Sequence, residues 1–216
     1  LTDGRRGEAA NYTALAVALA TGADPRLAIT RGLPVSGKTF VSQALIEHAG
    51  AIRVRSDVER KRLHGLGALA SSGGVAGGIY DTATTQRTYA RLQDVARGAL
   101  EAGWAVVVDA AFLRRDERTR FAALAESMAL PFTILDCRAP MQLLRQRIAQ
   151  RRAAGSDASE ADEGVLDRLR EFDEALEGGE AAHALVVDAA LPLEPAQLAS
   201  AWLEVDIARR SPGSAG

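Results

Sequence analysis

The sequence predicts an α/β fold with a five-stranded parallel sheet covered by helices on both faces, and three observations predict it. Short apolar runs alternate with amphipathic helical stretches from Leu27 onward. One segment, Gly32-Leu33-Pro34-Val35-Ser36-Gly37-Lys38-Thr39, fits G-x-x-x-x-G-K-[ST] in full, between a strand at Leu27–Thr30 and a helix from Phe40 to His48. Two further strand-like runs end in an aspartate, Asp57 and Asp109, at the strand ends where such sheets collect ligands.

The glycine-rich segment is a phosphate cradle. Backbone N–H groups of the loop and the positive end of the following helix surround a polyphosphate, Lys38 reaches its terminal phosphates, and the Thr39 hydroxyl is placed for a magnesium ion. The expected ATP-binding set is Gly32, Leu33, Val35, Ser36, Gly37, Lys38, Thr39 and Phe40. A chance match to the four fixed positions arises on the order of 1% of the time in a chain of this length, before flanking strand and helix are demanded. Pro34 contributes no N–H and, with Val35, stiffens the loop.

A chain of 216 residues with 47% hydrophobic residues suffices for one well-buried core, or one domain plus an appendage. At a formal net charge of −2 with mixed signs, no basic tract asks for nucleic acid. A single cysteine, Cys137, excludes an intrachain disulfide framework, and His48, His64 and His183 are too scattered for a zinc cluster. A reducing cytoplasm is the expected home. No apolar run approaches a membrane span, and the amino end lacks a secretion-signal pattern. The start at Leu1 suggests a fragment, a processed product or an unusual start.

Residues 1–24 read as a polar linker and an alanine-rich leading helix, 9–20, with Tyr12, Leu15, Val17 and Leu19 on its apolar side. That helix either packs on the nucleotide domain or belongs to a domain upstream. Residues 25–210 form the main domain, and 211–216 a disordered tail.

Past the stop at Gly50, Ala51–Arg55 reads as the second strand, ending in Ser56-Asp57. Asp57 points into the cleft, where it would accept a proton from an acceptor hydroxyl; the alternative is an N-cap for the helix Val58–Leu63. Arg55, Arg60 and Arg62 offer cations for an anionic substrate, or a solvated helix face. The glycine-rich span 65–79 is either a mobile cover or a plain connection. A long helix, Thr82–Glu101, turns a core stripe of Tyr89, Leu92, Val95, Ala96, Ala99 and Leu100 inward.

The buried run Trp104–Phe112 carries Asp109, the expected partner of a Thr39-bound Mg²⁺ or a holder of the acceptor, with a structural turn or cap as the bland alternative. Arg115 or Arg118 on the next helix could contact an acceptor, with a solvated surface residue as the favoured alternative for both. Strand Pro131–Cys137 ends in a cysteine expected to be small, buried and inert. In helix Pro140–Arg152, Arg147 and Arg151 share one face and suit a lid that delivers positive charge to a moving phosphoryl group. The acidic run Asp157–Glu174 reads as a solvated helix, His183–Asp188 as the last strand, and Ala189–Glu194 as the loop cupping adenine.

Together, Gly32–Thr39, Ile52–Arg62, Val108–Leu113, Asp136–Pro140 and Asp157–Ala161 resemble the AAA-type P-loop ATPase/kinase domain that in bacteria often stands behind an aminoglycoside-phosphotransferase-like domain. More distantly, the chain is similar to gluconate kinase, chloramphenicol phosphotransferase, polynucleotide kinase and zeta-toxin kinases. The likeness covers roughly residues 25–205. It implies a P-loop NTPase three-layer sandwich of the nucleoside- and gluconate-kinase kind with a lid helix, and an upstream phosphotransferase-like domain as partner. It also implies phosphate-loop roles for Lys38 and Thr39, an acceptor or base role for Asp57, a Walker-B-like role for Asp109, and the lid for Arg147 and Arg151. Two departures bear on catalytic efficiency: the family has a small Ser-Gly pair where Pro34-Val35 stand, and a glutamine where Leu169 lies.

Two functions from different classes follow. One is a kinase that uses ATP and Mg²⁺ to phosphorylate a hydroxyl of a small molecule held by Asp57, Arg60 and Asp109. The other is a nucleotide-sensing ATPase module that regulates a fused or partner domain. A switch has no reason for a carboxylate and arginines lining an acceptor cleft, so the kinase is preferred.

Overall fold

The computed structural model describes residues 24–68, 70, 79–154 and 163–210, with the side chains of 151–154, 163 and 206–210 outside that description. The leading helix, the glycine-rich stretch 71–78, the start of the acidic run and the tail 211–216 therefore lie outside the described residues.

The central strand is β1 (Leu27–Arg31), which runs into the phosphate loop and then α1 (Lys38–Ala49). Next come β2 (Ile52–Arg55), α2 (Ser56–Leu63), α3 (Thr82–Glu101), β3 (Val106–Asp109) and α4 (Arg115–Ser127). The chain continues through β4 (Phe132–Arg138), α5 (Met141–Ala154), α6 (Glu163–Arg170), α7 (Gly179–Ala182), β5 (Ala184–Asp188) and α8 (Pro195–Arg210). The sheet has the order β2-β3-β1-β4-β5, and every pairing is parallel. The predicted five strands are all present, as are the helices predicted after the phosphate loop, at 82–101, after Arg114 and from 140 onward. Within the described part of the acidic run, residues 163–170 form α6, and residues 173–177 carry no regular structure.

The strands are buried on both faces, which is why they read as near-continuous apolar runs. Alternation along each strand sorts side chains between two cores. Leu27, Ile29, Val106, Val108 and Ile134 meet Leu92, Ala96 and Leu100 of α3 and Phe121 and Leu124 of α4. On the opposite face Ala28, Val107, Leu135 and Cys137 meet Val41, Ala44 and Leu45 of α1 and Leu198 and Trp202 of α8. Trp202 is fully buried, and its burial stabilises by about 1.5–3 kcal/mol. Arg26 ties this helix to the foot of β1, donating to the Leu203 carbonyl at 3.1 Å and lying over the Trp202 ring.

Connections from β1 lead toward β2 and those from β4 lead toward β5. They diverge, so a crevice opens outside the carboxyl ends of these neighbouring strands. Register places the polar strand ends level with one another: Arg55 lies opposite Asp109, and Arg31 opposite Asp136.

Candidate functional site: a phosphate loop opening into a cavity

Two glycines shape the loop. Gly32 has φ +147°, and a Cβ there would sit 2.4 Å from the Cys137 carbonyl oxygen and 2.5 Å from Ser36 Oγ, so only glycine lets the loop leave β1 this close to β4. Gly37, at φ +100°, is the N-cap of α1, and a Cβ there would press on Ala189 at 3.3 Å. The cradle is therefore open backbone leading into the amino end of a twelve-residue helix, which is the geometry a polyphosphate needs. Helix α1 begins at Lys38 rather than Phe40, so Lys38 and Thr39 occupy its first turn.

Between these glycines Val35 has φ +58°, a left-handed conformation that costs a β-branched residue on the order of 1–2 kcal/mol. Two contacts hold it there. Its side chain packs, with Leu33, against Leu144, Ile148 and Leu166, and its carbonyl accepts a hydrogen bond from Arg147 Nη1 at 3.1 Å. Arg147 also donates from Nη2 to the Ala189 carbonyl at 2.8 Å. It thus bridges the phosphate loop and the loop after β5, whose Ala189, Leu191 and Leu193 line the same cavity. Lys38 Nζ bonds the Gly32 and Leu33 carbonyls at 2.9 and 2.7 Å, curling over the loop it serves. The side chain of Arg151 lies outside the described residues.

The cavity measures about 1050 Å³. It is lined by Val35, Gly37, Lys38, Thr39, Phe40, Asp57, Arg60, Asp109 and Arg147, so one space collects most of the residues selected from sequence. Gly32, Leu33 and Ser36 stand behind its wall instead. Ser36 is buried, and its Oγ has no hydrogen-bond partner.

Asp109 is buried, and its Oδ2 accepts from Ser42 Oγ at 2.9 Å, one helical turn beyond Thr39. The hydroxyl and carboxylate oxygens of Thr39 and Asp109 fit magnesium, a hard cation that binds few protein ligands and completes its shell with water and phosphate. No group of three or more His, Cys, Asp or Glu able to hold a metal is present among the described residues.

Asp57 is not an N-cap. The cap of α2 is Arg55, and Asp57 lies inside the first turn, where Oδ1 accepts from the Val58 N–H at 2.8 Å. Arg55 grips the same carboxylate with two bonds, Nε to Oδ1 at 3.0 Å and Nη2 to Oδ2 at 2.5 Å. The pair is half-exposed and lines the cavity. Arg60 departs from the reading of a solvated face: it is buried and donates from Nη1 to the Ile79 carbonyl and Thr85 Oγ1, both at 3.1 Å. Its guanidinium lies over the Tyr80 ring, and burial lowers its pKa. Arg62 instead pairs with Glu59. Arg118, expected on the surface, is 1% exposed; it clasps Glu180 and the carbonyls of Phe112 and Leu113.

Other wall residues carried no sequence signal. Glu117, in the first turn of α4, looks like any acid at a helix start, and Tyr89 looks like core. In the fold both line the cavity, and burial raises the pKa of Glu117 while the nearby Tyr89 hydroxyl opposes the rise. Arg114 stacks over Phe172 at 4.8 Å, and Arg168 and Leu169 of α6 close the wall. Cys137 is buried as expected, and burial pushes its thiol up to about 12.

Residues 27–176 match the AAA domain family AAA_33. The chain belongs to this family. Uncharacterized proteins of Mycobacterium tuberculosis (strain ATCC 25618 / H37Rv) and Mycobacterium bovis are 28% identical over 135 residues, 62% of this chain. The match spans 27% of their length, so the chain corresponds to about a quarter of those longer relatives. Among solved structures, a sugar kinase from Janibacter sp. HTCC2649 superposes with a TM-score of 0.61 at 19% identity, covering 87% of this chain and 99% of that one. A gluconokinase from Sinorhizobium meliloti 1021 gives 0.57 at 20% identity over 86% and 93%. The APS kinase of Mycobacterium tuberculosis in complex with AMPPNP and APS gives 0.58 at 17% identity over 85% and 98%. At these identities the likeness establishes a shared P-loop kinase-like fold: a three-layer α/β sandwich around a five-stranded parallel sheet.

Proposed function

We propose that this domain binds ATP on the loop Gly32–Thr39 and transfers its γ-phosphoryl group to a hydroxyl of a small molecule. The observation that carries the reading is the single cavity that runs from Lys38 and Thr39 to the Arg55–Asp57 pair and Arg60, since a nucleotide switch needs only its first half. In the transfer, the acceptor oxygen bonds the γ-phosphorus as the bond from that phosphorus to the β,γ-bridging oxygen breaks. ADP leaves, and the hydroxyl proton passes to Asp57. Arg55 holds that carboxylate toward the acceptor. Lys38 exchanges its two loop carbonyls for phosphate oxygens, and Arg147, already on the loop, is placed to meet charge on the moving group. Thr39 and Asp109 would hold magnesium, which neutralises phosphate charge when bound. Leu191 and Leu193 offer an apolar seat for adenine.

Incubation with γ-labelled ATP and a small-molecule extract, followed by identification of whatever acquires label, tests the proposal. A labelled small molecule whose formation depends on Asp57 is the expected result. Hydrolysis alone, unaffected by any extract fraction, would favour a nucleotide-sensing module.

A further inference from the structure

The helix that carries Asp57 brings a second charged group to the same cavity. Asp57 and Arg60 stand three residues apart in α2, so they share one face of that helix, and both line the cavity. Arg60 is 8% exposed, and its two hydrogen bonds, to the Ile79 carbonyl and Thr85 Oγ1, both leave from Nη1 and both end on neutral oxygens. The opposite edge of the guanidinium, Nε with Nη2, makes no hydrogen bond among the described residues, and neither nitrogen is sealed inside the protein as the Nε atoms of Arg26 and Arg31 are. With that same edge Arg55 grips both oxygens of Asp57. It is a two-pronged donor whose spacing matches an oxyanion.

A buried guanidinium is costly without a counter-charge, and the stacking of Arg60 over Tyr80, at 5.1 Å, offsets only part of that cost. Among the described residues no carboxylate forms an ion pair with it. Asp81, beside Tyr80, instead accepts from the Thr84 N–H at 2.8 Å as the N-cap of α3. The rest of this wall is also rich in cations. Arg55 is taken by Asp57 and Arg120 by Asp116, whereas Arg114, stacked over Phe172, and Arg168 form no ion pair among the described residues. Arg60, Arg114 and Arg168 thus share this end of the cavity with one further acid, Glu117, and positive charge is in excess there.

We propose that the acceptor is an anion: the Nε and Nη2 edge of Arg60 grips an oxyanion group of the acceptor, a carboxylate, sulfate or phosphate monoester, beside the hydroxyl served by Asp57, and Arg114 is the second cation of that subsite. The anion supplies the counter-charge that the protein does not. This rests on the phosphotransfer reading.

The test begins with the acceptor's own charge. A small-molecule extract is passed at neutral pH through a strong anion exchanger before it meets the protein and γ-labelled ATP. Compounds that accept label should be held by the resin and recovered in the salt eluate. Treating the eluate with alkaline phosphatase, then removing it, names the group: lost acceptor activity means a phosphate monoester, and surviving activity a carboxylate or sulfate. With the acceptor purified from the eluate, Arg60→Gln should raise its KM about tenfold or more, while the KM for Mg-ATP and acceptor-independent hydrolysis stay within about twofold. Arg60→Lys, which keeps the charge without the fork, should lie between parent and Arg60→Gln. Arg114→Gln, at an exposed position where folding is not at stake, should raise the same KM about threefold or more, and it carries the kinetic test if Arg60→Gln does not fold. Acceptor activity found in the resin flow-through, an acceptor KM unchanged by these substitutions, or an equal rise in the Mg-ATP KM overturns the inference and leaves the kinase reading standing. If neither flow-through nor eluate accepts label, the kinase reading falls and this inference with it.

Discussion

The two halves of the cavity are built in opposite ways. At the nucleotide end the working surface is backbone, drawn from one stretch of eight residues and shaped by the glycine at Gly32, whose missing side chain lets the loop pass β4. At the proposed acceptor end the surface is side chain: Asp57 from α2, Arg60 one turn on, Tyr89 from α3, Glu117 from α4 and Phe172 beyond α6. Backbone amides suit a ligand part that never changes, the polyphosphate, whereas side chains can be exchanged without disturbing the fold. Perturbation at the first end should therefore abolish binding, and perturbation at the second should redirect or slow chemistry.

The largest effect is expected at Gly32 and Lys38. Lys38→Ala removes the only lysine of the loop, and Gly32→Ala drives a methyl into the Cys137 carbonyl, so calorimetry with Mg-ATP should show affinity reduced at least about a hundredfold in each. Affinity retained by both variants would mean that the loop is not the nucleotide site.

Asp57→Asn sharpens the contrast from the other side. The amide keeps the size of the carboxylate and, being inside the helix rather than at its cap, should leave thermal stability nearly unchanged. Transfer should fall by roughly 10² to 10⁴ with Mg-ATP affinity close to the parent value. A fall in affinity as large as the fall in transfer would place Asp57 in the magnesium site instead.

Arg147 has two roles to separate: its hydrogen bond braces the strained Val35, and in the proposed transfer it meets charge on the moving phosphoryl group. Arg147→Ala should lower turnover about tenfold or more and weaken Mg-ATP binding by a smaller factor of about three. Turnover held within about twofold would remove it from the machinery.

The smallest effect is expected at Cys137. Its thiol is buried and its pKa raised by that burial, so at pH 8 it stays protonated and alkylation of the folded protein should run at least about a hundredfold slower than that of a free thiol. Cys137→Ala should transfer phosphate within about twofold of the parent. Rapid loss of activity on alkylation without unfolding would contradict both statements.

The phosphate loop, the strand that feeds it and the acid at the end of β3 were legible because each is local: a spacing of glycines, a run of apolar residues, an aspartate where the run stops. Element order likewise followed from alternating periodicities, and the long helix expected roughly over Thr82–Glu101 spans those residues. The parts that escaped depend on crossovers. Nothing near Asp57 shows that Arg55 will grip it, because that requires the strand to turn directly into α2 at Ser56. Arg60 and Arg118 look like surface cations until the chain folds over them and supplies the carbonyls of Ile79, Phe112 and Leu113. Tyr89 and Glu117 reach one cavity wall from two helices separated by a whole strand, and Arg147 meets Val35 across more than a hundred residues. Composition and period decide which residues are inside; only the packing of one layer on another decides which buried polar groups find each other, because a burial cost can be offset by any partner the topology happens to bring near.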